Sequence, residues 1–375
     1  MKTEVDDLLR GTPRIPGAPL QVGFVPDLDC APVVVAQESG LFEKYDLRVE
    51  LQRETRWATI RDKIIHGELD ATHAPATLPF IMNLGLESDQ CACVAGMVLS
   101  LQGNAITVSR ELWEEDVRDA ETLRDRVYRN WGRRTYTFGV VFPYSPPYFL
   151  LRQWLKSGGI VPHREVRIVI IPPAQMFPTL KLGYIDGFCA GEPWTSLAVE
   201  AQVGGCVASS AELAALHPEK ALMVRRDFAV ERASEHERLV AALLEACAFC
   251  DQPKNHPLLA EILARPQFVN APAECLRRSL TRTPGPGAAD TVAGGLNIFC
   301  RHHANDPTDD KAAWIVNRVY ELMEQSILKF PSVSRAPVVK NVFRRDIFER
   351  ARDRVLRQAA TLAAEAESFK ASQSA

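Results

Sequence analysis

The stretch from residue 20 to residue 86 carries the clearest pattern of apolar and polar positions in the chain. In order, the pattern predicts a strand, a helix, a strand, a helix and a short strand, at residues 20–25, 33–42, 47–51, 59–65 and 69–72. Pro32 in a first turn and Gly67 after the second helix are typical helix boundaries. Strands that alternate with helices predict a parallel α/β sheet, which binds ligands at the carboxyl ends of its strands.

A similar unit occurs again later in the chain. The segments Lys63–Ala71 (KIIHGELDA) and Leu180–Gly187 (LKLGYIDG) both place a helix end, a glycine, an apolar residue and an aspartate before a strand. This spacing is also typical of αβ turns in general. We interpret the two segments as related units, which favours two lobes with a sheet in each. The apolar segment Ala221–Phe228 predicts a strand that returns the chain to the first lobe.

Composition indicates a globular protein without an overall positive charge that would attract nucleic acid. The 375 residues are 46% hydrophobic and 24% charged, which is ordinary for one or two folded domains. A formal net charge of −3 provides no general attraction for nucleic acid. The nine cysteines are odd in number and scattered through apolar segments, as expected for reduced thiols rather than a disulfide framework.

The first twenty residues contain no secretory leader pattern. Glu4, Asp6 and Arg10 interrupt any apolar stretch of the length that a signal peptide needs. No segment approaches the roughly 20 apolar residues of a membrane helix. We therefore expect a cytoplasmic protein, and the alternative is a signal peptide that precedes residue 1.

Two motifs make the chain recognisable. The segments FVPDLDCAPVVVAQESGLFEKYDL and RWATIRDKIIHGELDATH resemble the nitrate- and bicarbonate-binding proteins of ABC importers and their cytoplasmic relative, the nitrate sensor NasS. The resemblance extends from about Leu20 to Trp314. It implies an α/β, type II periplasmic-binding-protein-like bilobal fold, with a ligand cleft between two α/β lobes. On this basis we expect residues 1–106 with 207–375 to form lobe I, and residues 107–206 to form lobe II.

Lys220 ends the motif His217-Pro218-Glu219-Lys220. In the family that the chain resembles, the residue at this last position correlates with the ligand: it is lysine in nitrate binders and glutamate in bicarbonate binders. Nitrate has three acceptor oxygens and no donor, so its site needs donors and positive charge, whereas the O–H of bicarbonate needs an acceptor. Lys220 therefore predicts a donor-only site for nitrate or nitrite, and the alternative is a solvated surface lysine.

Three further candidates follow from the resemblance. Trp57 lies where the family has an aromatic residue beside the anion, and its indole N–H can only donate. The alternative is an ordinary core tryptophan. The family also has an amide side chain near Gln102-Gly103-Asn104, where Asn104 is the first choice and Gln102 the second.

The segment FCAGEPW matches the loop that the family uses in its second lobe. A glycine lets the backbone approach an anion closely, so the N–H groups of Gly191 and Glu192 are predicted donors. His73 follows the third strand and is predicted to point toward the cleft, although a lone histidine is also typical of a structural role.

The chain departs from the family pattern at Pro147, where nitrate binders usually carry a histidine before a helix. Ser145 is the predicted replacement donor and Tyr148 the alternative, unless the ligand itself differs. Asp27 and Asp29 follow the first strand, and we interpret them as turn residues because no partner base accompanies them.

Two functional readings remain open at this point. The first is a cytoplasmic nitrate or nitrite sensor whose lobes close on the anion and which controls an ANTAR-type, NasT-like RNA-binding antiterminator of nitrate-assimilation genes. The alternative is the solute-binding subunit of an ABC importer. The fold also hosts synthesis of the thiamine pyrimidine precursor, but Cys91-Ala92-Cys93 is too sparse for the iron motif of that chemistry. We expect a binding protein with no catalytic residue, no cofactor and no metal.

Overall fold

The structure is a computed structural model that describes residues 18–86, 88–281, 296–324 and 341–373. The prediction about a leader concerns residues 1–17, which lie outside the described residues. No helix among the described residues is both long and apolar enough to cross a membrane.

The chain alternates strands and helices along most of its length. The strands are β1 (Leu20–Phe24), β2 (Val49–Arg53), β3 (Ala71–Pro75), β4 (Cys93–Gln102), β5 (Asn104–Ser109), β6 (Thr137–Val140), β7 (Arg167–Ile170), β8 (Gly187–Gly191), β9 (Gly204–Ser209), β10 (Pro218–Arg225) and β11 (Asn297–Ile298). The helices are α1 (Ala31–Glu38), α2 (Leu41–Lys44), α3 (Trp57–Ile65), α4 (Leu78–Leu84), α5 (Arg110–Glu114), α6 (Ala120–Arg129), α7 (Pro146–Ser157), α8 (Met176–Lys181), α9 (Trp194–Glu200), α10 (Ser210–Leu213), α11 (Arg226–Glu231), α12 (Ala233–Cys250), α13 (His256–Leu263), α14 (Ala273–Thr281), α15 (Asp309–Glu324) and α16 (Arg345–Gln373).

The strands form two mixed sheets. The first has the order β11-β4-β10-β3-β1-β2, and the second has the order β7-β6-β8-β5-β9. β1 pairs in parallel with β2 and β3, as the sequence pattern predicts, and β10 runs antiparallel between β3 and β4. In the second sheet β6 pairs in parallel with β7 and β8, whereas β5 is antiparallel to both β8 and β9.

The two similar sequence segments, Lys63–Ala71 and Leu180–Gly187, correspond to a repeated structural unit. Both sheets contain the order β2-β1-β3 or its counterpart β7-β6-β8. In the first unit Asp70 accepts a hydrogen bond from the backbone N–H of Gln21 at 2.8 Å, and in the second Asp186 accepts one from Thr137 at 2.7 Å. The aspartate of each unit therefore fastens the new strand to the start of its parallel neighbour.

The chain passes from one sheet to the other at Gly103. This residue lies between β4 of the first sheet and β5 of the second, with φ at +96°. A side chain there would collide with the amide of Asn297, whose Nδ2 lies 2.2 Å from the position that a Cβ would take. Glycine is thus required both by the backbone conformation and by the close contact. The lobe boundaries at residues 106 and 206 stay a prediction.

Apolar packing holds the long α12 helix against the first sheet. Leu239, Leu243 and Cys247 are fully buried there, and their spacing of four residues places them on one side of the helix. The last helix, α16, packs on α12 and β4 through Ile347 and Ala351. Apolar side chains from both helices therefore cover β4 of the first sheet.

Candidate functional site

The side chain of Lys220 is the centre of the candidate site. Lys220 lies on β10, opposite Pro75 of β3 and Ser100 of β4, and is 2% exposed. A lysine ammonium is almost never buried without a counter-charge, because the loss of hydration is costly. The position therefore requires carboxylates from elsewhere in the fold.

Two carboxylates supply that charge. Nζ of Lys220 donates to Asp29 Oδ2 at 2.5 Å and to Glu219 Oε1 at 2.8 Å. Asp29 lies in the short 3-10 turn that follows β1, so the carboxyl end of a parallel strand carries the partner. Burial by itself would lower the pKa of Lys220, but the neighbouring carboxylates raise it above its usual value and keep the amine charged.

His73 holds the other oxygen of Asp29. Its Nε2 lies 3.0 Å from Asp29 Oδ1 and donates the proton, because a carboxylate can only accept. Burial would raise the pKa of Asp29, yet Lys220 and His73 outweigh burial and bring it down to about 2. Burial also lowers the pKa of His73 itself. The ring is therefore neutral, with Nδ1 as an acceptor.

Glu219 joins the site to both sheets. Its Oε2 accepts from Nδ2 of Asn104, the first residue of β5, and lies 3.1 Å from Nε2 of His217. His217 Nδ1 donates to the carbonyl of Ala214 at 2.9 Å. Glu219 is therefore held by Asn104 of the second sheet and by His217, which precedes β10 of the first.

Asp27 forms a second link between the sheets. Its Oδ1 accepts from the indole Nε1 of Trp194, at the start of α9, at 2.7 Å. Burial, together with the nearby charge of Asp29, raises the pKa of Asp27 well above its usual value. Raising it favours the protonated carboxyl, which can donate from its other oxygen. The cluster consequently carries far less negative charge than three carboxyl groups would suggest.

Several buried polar atoms around this cluster have no hydrogen-bond partner within the described residues. They are Trp57 Nε1, His73 Nδ1, Asn104 Oδ1, and both Oε1 and Nε2 of Gln102. The Trp57 ring packs against His73 with 5.4 Å between ring centroids, and Lys220 Nζ lies 5.6 Å from the Trp57 ring centre. Buried polar atoms are normally satisfied, so this concentration indicates a place for a ligand or water.

Gly191 lies against the same cluster. It pairs with Asn104 across β8 and β5, and a Cβ at Gly191 would lie 3.8 Å from both Asn104 Oδ1 and Asp29 Oδ2. These are ordinary contact distances, so alanine would fit. A methyl group there would occupy space directly beside the unpartnered amide oxygen.

Two predicted donors take part in local structure. The backbone N–H of Glu192 donates to Gly103 O at 3.2 Å, and its side chain accepts from Ser196 N at 3.0 Å. Ser145 caps α7, and its hydroxyl donates to Phe142 O at 2.7 Å. The roles of Glu192 and Ser145 at an anion stay predictions.

The acidic half of the site was not predicted from the sequence. Asp27 and Asp29 are not simple turn residues, and the site is not donor-only, because it also contains Glu219 and two unpartnered acceptors. A signal was present. Lys220 precedes an apolar run on a central strand, and such a lysine demands a buried carboxylate from a strand end.

Metal binding has no support in the described residues, where no group of three or more His, Cys, Asp or Glu side chains is arranged to hold an ion. The geometry instead offers one ammonium, an indole N–H, amide groups and a protonated carboxyl. Such a set can orient a small oxyanion by hydrogen bonds without chemical change.

Removal of the ammonium is expected to destabilise the fold. Lys220→Met leaves Asp29 and Glu219 buried without a counter-charge, which should lower the free energy of unfolding by about 3–5 kcal/mol. Adding Asp29→Asn removes one of the two unpaired carboxylates, so the double variant should regain part of the lost free energy of unfolding. Urea unfolding at pH 7 measures both, and a loss below about 1 kcal/mol for Lys220→Met would contradict the ion-pair assignment.

The raised pKa of Asp27 predicts that the stability of the fold depends on pH. Its contribution to stability is fully present below the unfolded pKa of about 3.9 and is lost as pH rises toward the folded value. Asp27→Asn keeps the acceptor for Trp194 but cannot ionise, so its melting temperature should exceed that of the wild type by an amount that grows from pH 4 to pH 8. Parallel curves would exclude a raised pKa, and Asp89→Asn, at an exposed carboxylate, is the control.

The chain is similar to several proteins whose names refer to the transport or binding of small anions. It is 36% identical over 302 residues to the bicarbonate transport ATP-binding protein CmpC of Synechococcus elongatus, covering 80% of this chain and 44% of that protein. It is 31% identical over 278 residues to the nitrate/nitrite binding protein NrtA of the same species, covering 72% of this chain and 62% of that protein. The chain thus spans less than two thirds of the length of either relative.

Solved structures confirm the predicted bilobal binding-protein fold. The periplasmic nitrate-binding protein NrtA from Synechocystis PCC 6803 superposes with a TM-score of 0.81 at 24% identity, covering 90% of this chain and 88% of that one. The alkanesulfonate-binding protein SsuA from Xanthomonas axonopodis gives a TM-score of 0.65 at 15% identity, covering 87% of this chain and 99% of that one. A family model described as the NMT1-like family matches residues 14–264. The chain belongs to the NMT1-like family, as a relative of the nitrate/nitrite-binding protein NrtA and the bicarbonate-binding protein CmpA.

Proposed function

We propose that this chain binds nitrate or nitrite between its two sheets and serves as the solute-binding component of an ABC-type importer for small oxyanions. The observation that carries the proposal is the concentration of buried, unpartnered polar atoms around one ammonium. Atoms of this kind are stable only when a ligand or water completes their hydrogen bonds. The anion-related names of the relatives support the same class of ligand.

The donors suit nitrate. Trp57 Nε1 and Gln102 Nε2 are N–H donors without partners in the described part of the chain, and Lys220 supplies the positive charge. Nitrate offers three acceptor oxygens in a plane and has no proton to donate. The lysine in the last position of the His-Pro-Glu-Lys motif supports nitrate or nitrite over bicarbonate.

Bicarbonate is the competing ligand because acceptors are also present. His73 Nδ1 and Asn104 Oδ1 lie unpartnered in the same cluster, and either would accept the O–H of bicarbonate. The two anions can therefore be ranked only by measurement. Comparison with nitrite tests the effect of ligand size, since nitrite has the same charge as nitrate and one oxygen fewer.

Ligand binding would be linked to closure of the two lobes. Asn104 and Trp194 from the second sheet already meet Glu219 and Asp27 from the first. An anion held by groups of both sheets adds contacts that exist only when the sheets are close. It would favour the closed arrangement by its difference in affinity for the closed and open states.

A regulatory role is the second candidate. In it, the chain is a cytoplasmic nitrate or nitrite sensor whose closed form releases a NasT-like, ANTAR-type antiterminator. Six of the nine cysteines are buried thiols, and such thiols suit a reducing compartment. Co-purification with an antiterminator that nitrate abolishes would favour the sensor, whereas co-purification with a permease would favour transport.

Replacement of one tryptophan tests the ligand site. Trp57→Phe keeps an aromatic ring but removes the unpartnered N–H, and loss of a hydrogen bond to an anion should weaken binding by about 1.5–3 kcal/mol, or roughly 10- to 150-fold in Kd. Calorimetric titration with nitrate, nitrite and bicarbonate at constant ionic strength measures the effect.

The matched control is Trp154→Phe. Trp154 is 4% exposed and packs on Phe138 in the core of the second sheet, away from Lys220. This variant should lose stability but keep the nitrate affinity of the wild type. If wild type binds none of the three anions at millimolar concentration, or if both variants weaken equally, the proposal fails.

A further inference from the structure

A pair of thiols lies at the start of β4, outside the candidate anion site. Sγ of Cys91 and Sγ of Cys93 are 3.9 Å apart, and both residues are free cysteines. Cys93 is fully buried, whereas Cys91 is partly exposed. The pair therefore has one thiol that a reagent can reach and one that only its neighbour can reach.

The reachable thiol opens onto a surface depression of about 420 Å³. Cys91 and Ala92 line it together with two arginines and two acidic residues, Arg225, Arg226, Asp227 and Glu231. Arg225 ends β10 and Lys220 lies near its start, so about 17 Å of extended strand separates the depression from the anion site. The depression is large enough for a small thiol-reactive molecule, and its guanidinium and carboxylate groups balance in charge.

The two thiols are chemically unequal. The S–H of Cys93 donates to the sulfur of Cys91, and this bond, with the charge of Arg225, lowers the pKa of Cys91. The same bond and burial raise the pKa of Cys93. An accessible sulfur that ionises first, beside a buried one that retains its proton, is the arrangement of an attacking and a resolving thiol.

We infer that Cys91 and Cys93 form a redox-active dithiol that reacts with small disulfides. The Cys91 thiolate attacks one sulfur of the disulfide, forms a mixed disulfide and releases one thiolate. The Cys93 thiol then loses its proton, attacks the Cys91 sulfur and releases the second thiolate. In total, two protein thiols are oxidised to one disulfide while one small disulfide is reduced to two small thiols.

Little movement is needed to close the bond. The Sγ atoms must approach from 3.9 Å to about 2.05 Å, the length of a disulfide. The segment that carries Cys91 is tied at two points, by the Cys91 N–H to Met82 O at 3.0 Å and by the Arg226 N–H to Ala92 O at 2.8 Å. These bonds hold Cys91 beside Cys93 and keep the encounter local.

The test uses the full chain and glutathione disulfide. After reduction and removal of the reductant, exposure at pH 7.5 should convert Cys91 and Cys93 to a disulfide, detected by peptide mapping after alkylation. Cys300 is the internal control. It is also partly exposed, but burial and Asp251 raise its pKa to about 12. We expect Cys91 to react at least about tenfold faster than Cys300.

Variants separate the two steps. Cys93→Ser should stop at one glutathione on Cys91, because the resolving thiol is gone. Cys91→Ser should leave Cys93 unmodified, because Cys93 is buried. Equal rates at Cys91 and Cys300, or glutathionylation of Cys91 in the wild type without resolution, would overturn the inference.

Discussion

The buried ammonium of Lys220 is the constraint on which the rest of the site depends. A charged amine that is 2% exposed is tolerated only when carboxylates reach it. The fold brings Asp29 from the turn that follows β1, and Glu219 precedes Lys220 on β10. His73 then fixes Asp29, while Asn104 fixes Glu219. Each partner is held by another strand, so the geometry of the ion pair determines how β1, β3, β5 and β10 meet.

The second consequence of this constraint is the charge of the cluster. Three carboxyl groups beside one ammonium would repel an anion if all were ionised. The raised pKa of Asp27 reduces that repulsion, because it favours the neutral carboxyl. What remains is a site that combines donors, acceptors and one buried ammonium. Such a site can hold a small oxyanion mainly through directional hydrogen bonds, and less through the attraction of opposite charges.

Local patterns predicted the fold well and the site only in part. The αβ units were visible because alternation, Gly67 and the aspartates Asp70 and Asp186 act within a few residues. Lys220 was found through its motif, but its partner Asp29 lies 191 positions away, and no local pattern records that pairing. The cap that Ser145 forms could also be predicted locally, because a serine followed by proline is typical of a helix start.

Gly191 offers the most direct test of where the anion binds. A methyl group at this position meets Asn104 Oδ1 and Asp29 Oδ2 at ordinary contact distances, so Gly191→Ala should leave the free energy of unfolding within about 1 kcal/mol of wild type. Calorimetric titration of nitrate into both proteins should give a Kd at least about tenfold weaker for the variant, since the methyl occupies the space of the ligand. Equal affinities in two equally stable proteins would contradict a site at the Lys220 cluster.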